Sequence, residues 1–429
     1  MKKLGLLVAI MTTVAFAACG GGSGSGGGGG DTTETALEGL SACQTVASEG
    51  VICGTAYAPD GQTPIVGAEV SLMAASAMVA NLKGLSTDDL GALTADSTQC
   101  LTDDTGAFAC AGIADSGSQD FQIVGGGFTI NFSADIILGN ITEIAGTDTT
   151  ATGGSGTYKY AVVLGSWDSI EDVLGRVLQC GTITDGALEI GTECENIEII
   201  GGYGTNPNTA LTEALGIDEG TYPTLNEFLT SENSLTAMQT FRGIFFNCGL
   251  SEALVEDATA QANLQAYVSG GGNFYASDYA YLYVENNWPE AIDWYGDDAG
   301  DNARDGEMNP AQSVNVDDAG LLAWLRAEEL IAEDASTFNV NFNLGSWVVM
   351  NDTADGTNEI ITADSLPNGP ADVPIAGRST LPITVDFSSG SGCVFYTSYH
   401  NEPADEVGTD EVQSRVLEYL LLNQFGNCE

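Results

Sequence analysis

Residues 264–284 read LQAYVSGGGNFYASDYAYLYV. Three glycines, Gly270 to Gly272, part a helical segment from the apolar, aromatic run that starts at Asn273. That run is too short for a stable helix and has the composition of a strand buried on both faces. It stops at Ser277 and Asp278, and a second helical segment, YAYLYVENN (279–287), begins at once. The order is helix, glycine turn, strand, sharp bend, helix, which is how an α/β fold advances from one strand to the next.

The same rhythm extends on both sides from Tyr158. YAVVLGSW (160–167), IEII (197–200) and GIFFNC (243–248) are short, apolar and largely β-branched or aromatic, as strands inside a sheet are. SIEDVLGRVLQC (169–180) places Ile170, Val173, Leu174, Val177 and Leu178 at helical spacing, and ATAQANLQAYV (258–268) is a further helix. LPITVDFSSGSGCVFYTSYH (381–400) predicts a hairpin turning at Ser388–Gly392, and EVQSRVLEYLLLNQF (411–425) a closing amphipathic helix. Alternating strands and helices predict a flavodoxin-like, doubly wound, mostly parallel sheet, whose ligands bind beyond the carboxyl ends of the strands.

The first 150 residues read differently. Lys2 and Lys3 precede an apolar run, Leu4 to Ala18, that is too short for a good membrane span and reads as a signal peptide over residues 1–18. FAAC (16–19) resembles a bacterial lipobox. That resemblance implies cleavage before Cys19 and lipidation of its thiol; the alternative is an ordinary secretory signal followed by a cysteine. A glycine-rich tether over 19–42 suits an anchored domain. Residues 43–150 read as all-β. VICGTAYAPDGQTPIVGAEVSLMAA (51–75) supplies two strands around a turn, and CLTDDTGAFAC (100–110) reads as a hairpin. The pattern GTAY, PIVGAEVSL and TDDTGAF resembles the carboxypeptidase regulatory-like β-sandwich, used as a spacer or recognition module. TDTTATGGSGT (147–157) reads as a second linker.

Sixty acidic residues against ten basic ones give a formal charge of −50. Such a surface repels phosphate backbones, which excludes nucleic acid as a partner. The partners left are a membrane, through the lipid anchor, and an unidentified small-molecule, glycan or protein ligand. The location they imply is the bacterial cell envelope, on the outer membrane or cell surface.

FRGIFFNCGLSE (241–252), the 264–284 segment and VFYTSYHNE (394–402) together resemble, in this order, the class I glutamine amidotransferase-like superfamily, which includes ThuA-like proteins. The resemblance covers residues 158–429 with an insertion near 290–340. It implies an oxyanion-side turn after the first strand, a nucleophile elbow after the second, and the histidine and glutamate of a Cys-His-Glu triad after the third. His400, the one histidine of the chain, and Glu402 take the last two positions. Asp278 stands where the nucleophilic cysteine belongs. A carboxylate lacks a thiolate's nucleophilicity and is already ionised at neutral pH, so an imidazole cannot activate it. Glutaminase activity is therefore not expected. Ser277 precedes the bend and, on a strand, points to the opposite face. Cys248, Gly249, Ser277 and Tyr279 are the expected pocket neighbours. The functional expectation is a catalytically degenerate domain used for binding or display; the alternative is an amide, ester or glycan-related hydrolase using His400 and Glu402 with Asp278 or Cys248.

No cofactor is expected. The acidic loop containing Asp297, Asp298, Asp301 and Asp305 has the oxygen ligands Ca²⁺ takes, but it lacks EF-hand spacing and carries Arg304, so it reads first as a solvated loop, with Ca²⁺ as the alternative. Ten cysteines in an exported chain imply disulfides. Cys180 and Cys194 bracket a short loop whose closure contributes about 3 kcal/mol. The predicted topology brings Cys393 and Cys428 to one end of the sheet, leaving Cys248 as a free thiol at the other. Cys43, Cys53, Cys100 and Cys110 leave two bonds of open connectivity.

Overall fold

The computed structural model describes residues 48–73, 99–151, 158–178, 196–202, 222–295, 306–364, 380–401 and 410–425, apart from single positions, together with Ala303 and two short strands at 182–184 and 187–189. The signal segment, Cys19, the tether, Cys43, Cys180, Cys194, Asp297, Asp298, Asp301, Asp305, Glu402 and Cys428 lie outside the described residues.

The N-terminal part forms two small sheets. One holds β1 (Gly50–Thr55), β4 (Ala107–Ile113) and β7 (Ile141–Glu143); the other holds β2 (Glu69–Leu72), β3 (Gln99–Leu101), β5 (Gly117–Gly125) and β6 (Phe128–Ile136). The expected 100–110 hairpin does not form as a pair of strands. The turn is present, with Gly106 N–H donating to Asp103 O and Asp103 N–H to Ala107 O. Its two arms nevertheless pair in different sheets, β3 with β2 and β4 with β1. The Cys100–Cys110 disulfide ties the two sheets together across that turn. Ile52, Phe108, Phe121, Ile123 and Phe132 are buried in their shared core.

A nine-stranded sheet dominates the rest. Its members are β8 (Lys159–Val163), β11 (Ile197–Ile200), β12 (Phe241–Phe246), β13 (Asn273–Ser277), β15 (Gly306–Val316), β16 (Thr337–Trp347), β18 (Thr357–Ala363), β19 (Leu381–Ser389) and β20 (Gly392–Thr397). The order is β11-β8-β12-β13-β20-β19-β18-β15-β16. The strands from β11 to β20 run parallel, and every pairing from β20 to β16 is antiparallel. The sheet is thus mixed, not mostly parallel. Antiparallel neighbours need no crossover connection, and β19 returns into β20 through a tight turn, so the parallel rule stops at β20. Four short strands stand apart: β9 (Thr182–Thr184) with β10 (Ala187–Glu189), and β14 (Ile292–Trp294) with β17 (Met350–Thr353).

Helices cover the parallel half on both faces. Tyr160, Val162, Phe245, Tyr275 and Phe395 face α1 (Ile170–Val177) and the closing helix, while Ala161, Val163, Ile244, Phe246, Phe274 and Ala276 face the other layer. That layer holds α2 (Leu225–Thr230), α3 (Ser234–Met238), α4 (Ala258–Ser269) and α5 (Tyr281–Asn287). Successive side chains on a strand point to opposite faces, which is why these runs are apolar throughout. The capping box of Thr224 and Glu227 starts α2, and Asp257 accepts from Thr259 and Ala260 N–H to start α4. Beyond the parallel half, α6 (Ala319–Ala327) starts at Asp318, and α7 (Asp410–Tyr419) closes the chain. Arg415 of α7 stacks on Trp324 of α6 and pairs with Glu328 at 2.8 Å and Glu418 at 2.9 Å.

Candidate functional site

The carboxyl ends of β8, β12, β13 and β20 meet at one place. The chain leaves β8 through Gly165, where a Cβ would lie 2.0 Å from the carbonyl oxygen of Cys248. Glycine lets the loop after β8 lie directly on the loop after β12. The β8 loop then delivers Asp168 and, at the start of α1, Glu171. The β12 loop delivers Asn247 and Cys248 and turns at Gly249 with φ of +81°. β13 ends in Ser277 and Asp278, and Asp278 sits at φ of +39°, in the left-handed region. Only two described non-glycine residues have positive φ, and this one occupies the sharp strand-to-helix bend. β20 runs on through Ser398 and Tyr399 to His400 and Asn401.

His400 Nε2 lies 2.9 Å from Asp278 Oδ2, and Cys248 Sγ lies 3.5 Å from the same oxygen. The three ligating atoms are all within 4.8 Å of one another. Asp278 Oδ1 accepts from Val348 N–H at 2.7 Å, and its carbonyl accepts from Tyr396 OH at 3.1 Å. Ser277 turns its hydroxyl the other way, donating to Asp168 and accepting from Cys248 N–H at 3.1 Å. Asp168 also accepts from Asn401 N–H at 2.8 Å. Asn247 Nδ2 donates to Glu171 at 3.0 Å and to the Asp168 carbonyl at 3.1 Å. Tyr275, Thr397 and Asn401 extend the network below it.

The cluster is closed. Cys248 is 1% exposed, Ser277 and Asp278 0%, and His400 3%. Tyr279 is half-buried and hydrogen-bonds Ser346, so the turn between β16 and β17 lies over the bend from both Tyr279 and Val348. Burial pushes the Asp168 carboxyl up, against the opposing pull of His400 and the Ser277 hydroxyl. Burial, and then the charge of Asp172, pushes Glu171 up to about 8. The Cys248 thiol is pushed well above its usual value by burial and by the charge of Asp278, so it is a neutral thiol at physiological pH.

The structure brings together His400, Asp278, Ser277 and Cys248 among the expected site residues. Cys248 is a free thiol, as the disulfide layout expects. Cys53 and Cys393 are each disulfide-bonded. Asp168, Glu171, Asn247, Asn401 and Val348 were not singled out in the sequence. A carboxylate directly after a strand-ending glycine loop, as in LGSWDS, is the signal that would have found Asp168. A separate cavity of about 630 Å³ opens between α6, β18 and β19, away from this cluster. It is lined by Asp317, Asp318, Glu359, Asp386 and Tyr419, and burial pushes Asp386 up to about 6.

No protein-family model matches the chain, and no curated protein does. Solved structures do match. One, from Bacteroides uniformis and described as ThuA-like, shares 10% identity over 62% of this chain and 91% of its own, with a TM-score of 0.31. A cytoplasmic protein from Salmonella typhimurium shares 10% over 63% and 99%, at 0.35. A protein from Thermoplasma acidophilum described as a component of GMP synthase shares 9% over 61% and 92%, at 0.33. At these scores the likeness carries no functional argument.

Proposed function

We propose that the chain is an exported, lipid-anchored protein of the bacterial cell surface whose amidotransferase-like α/β domain has lost acyl-transfer chemistry and serves in binding or display. The two N-terminal sheets then act as a carboxypeptidase regulatory-like spacer between the tether and that domain. One observation carries the loss of chemistry: Asp278 occupies the elbow, and both of its carboxylate oxygens are engaged inside a buried cluster. A nucleophile must present an unshared lone pair to a substrate carbonyl, and this one presents none to solvent. The competing hydrolase reading would use Cys248, but burial holds its thiol protonated.

The test uses the full chain in detergent with glutamine, a panel of small amides and esters, and thiol- and hydroxyl-directed electrophiles. No turnover and no native-state labelling are expected. Turnover that disappears in His400→Ala would overturn the reading in favour of a hydrolase. The anchor is tested separately: the wild type should partition with detergent and Cys19→Ser should not. Equal partitioning of the two removes the surface placement.

A further inference from the structure

We propose that Cys248, Asp278 and His400 form a site for one divalent transition metal of the zinc class. The three donors stand at the ends of three strands that are neighbours in the sheet, β12, β13 and β20. One rigid framework therefore fixes all of them. Their donor atoms already converge, with Nε2 to Oδ2 at 2.9 Å, Sγ to Oδ2 at 3.5 Å and all three within 4.8 Å. A tetrahedral ion with bonds of roughly 2.0–2.3 Å sets its ligand atoms about 3.3–3.7 Å apart. Seating an ion therefore needs the Nε2–Oδ2 edge to open by about half an ångström and the Sγ–Nε2 edge, which lies within 4.8 Å, to close by up to about one ångström.

Donor chemistry selects the ion. Thiolate and imidazole are poor ligands for Ca²⁺ and Mg²⁺, which take oxygen, and good ones for Zn²⁺ and Co²⁺. The site is therefore chemically distinct from an acidic loop or cleft. Charge balance points the same way. Binding releases the Cys248 thiol proton to solvent, so one thiolate, one carboxylate and one neutral imidazole meet a dication with a net charge of zero. A neutral assembly is what a cluster 0–3% exposed tolerates best. Asp278 is also oriented for the task, since Val348 N–H holds Oδ1 at 2.7 Å and leaves Oδ2 facing the other two donors. Three protein ligands leave a fourth coordination position open to a further donor. An ion here braces three strand ends whether or not the domain acts on a ligand, so the site stands independently of the binding-or-display reading.

The experiment strips the full chain of metal with a chelator under denaturing conditions and refolds it in detergent with Co²⁺. The acidic surface will collect cations non-specifically, so the readout is spectroscopic. The wild type should show a thiolate-to-cobalt charge-transfer band and the intense visible bands of a tetrahedral site. Cys248→Ser should lose the charge-transfer band, and His400→Ala should lose the tetrahedral spectrum. Zn²⁺ should raise the melting temperature of the wild type and leave that of Cys248→Ser unchanged. The near-isosteric serine variant keeps the test valid if His400→Ala fails to fold. A wild type without the charge-transfer band, or a band that survives in Cys248→Ser, overturns the proposal and leaves a hydrogen-bonded cluster without an ion.

Discussion

Val348 donates its backbone N–H to Asp278 Oδ1 across 2.7 Å, joining the turn after β16 to the bend after β13. β16 is the last strand of the antiparallel half and β13 lies inside the parallel half. One carboxylate thus links the two halves of the sheet while also facing His400 and Cys248. The left-handed backbone at Asp278 is the local cost of aiming it there.

Asp278→Ala should destabilise the protein more than Asp278→Asn. Asparagine keeps an oxygen for Val348 N–H and tolerates positive φ. Alanine leaves that buried donor unpaired and strains the bend, a difference of about 2–4 kcal/mol. Denaturant unfolding of the two variants measures it. Equal losses would mean that the bend is held by packing alone.

Cys248 should resist alkylation in the native protein. It is 1% exposed and its thiol is pushed up by burial and Asp278, so both access and thiolate are lacking. Peptide mapping after maleimide treatment at about pH 8, where an ordinary exposed thiol is substantially ionised, should find Cys248 modified only when denaturant is present. Rapid native labelling would show that the turn over the site opens.

The parallel half was legible because its strands announce themselves. Runs such as YAVV, GIFF and NFYA are apolar on both faces, and only a sheet covered by helices on both sides uses such runs. Of the antiparallel half, the β19–β20 hairpin was legible from its turn at Ser388–Gly392; the rest was not, because pairing β15 with β18 or β16 depends on contacts distant in sequence. The same limit explains the 100–110 segment, where the turn was local and readable but the partners of its two arms were not. At the site, Asp278, His400 and Cys248 were readable as strand ends. Glu171 and Asp172 look like ordinary acids in the first turn of a helix, where the dipole favours them. Nothing local says that Glu171 is buried against Asn247.

Gly165→Ala should cost stability well beyond a surface change. Its Cβ would meet the Cys248 carbonyl at 2.0 Å and the Asn247 carbonyl at 2.6 Å, both backbone atoms that no rotamer change can move. Overpacking of this kind costs roughly 1–3 kcal/mol or more. The displaced loop also carries Cys248, so native-state alkylation of that thiol should speed up in the variant. A variant with wild-type stability and an inert thiol would mean that the β8 and β12 loops are not in close contact.

Glu171 should make the protein lose stability as pH rises toward 8. Its carboxyl goes from an ordinary value of 4.5 to about 8 in the fold, chiefly through burial. Between those values the folded state binds a proton that the unfolded chain releases. Its stabilising contribution is therefore complete below about pH 4.5, falls as pH climbs through 8 and is flat above that. Each tenfold change in proton affinity is worth about 1.4 kcal/mol, so the whole fall is a few kcal/mol. Glu171→Gln keeps an oxygen for Asn247 Nδ2 and removes the titration. It should match the wild type near pH 5 and exceed it by a few kcal/mol near pH 9. Asp168 is pushed in the same direction, so a shallower slope should persist in the variant. Denaturant unfolding from about pH 5 to 9, the window that the raised carboxyl spans, decides the matter: parallel profiles for the two proteins would place the pH dependence somewhere other than Glu171.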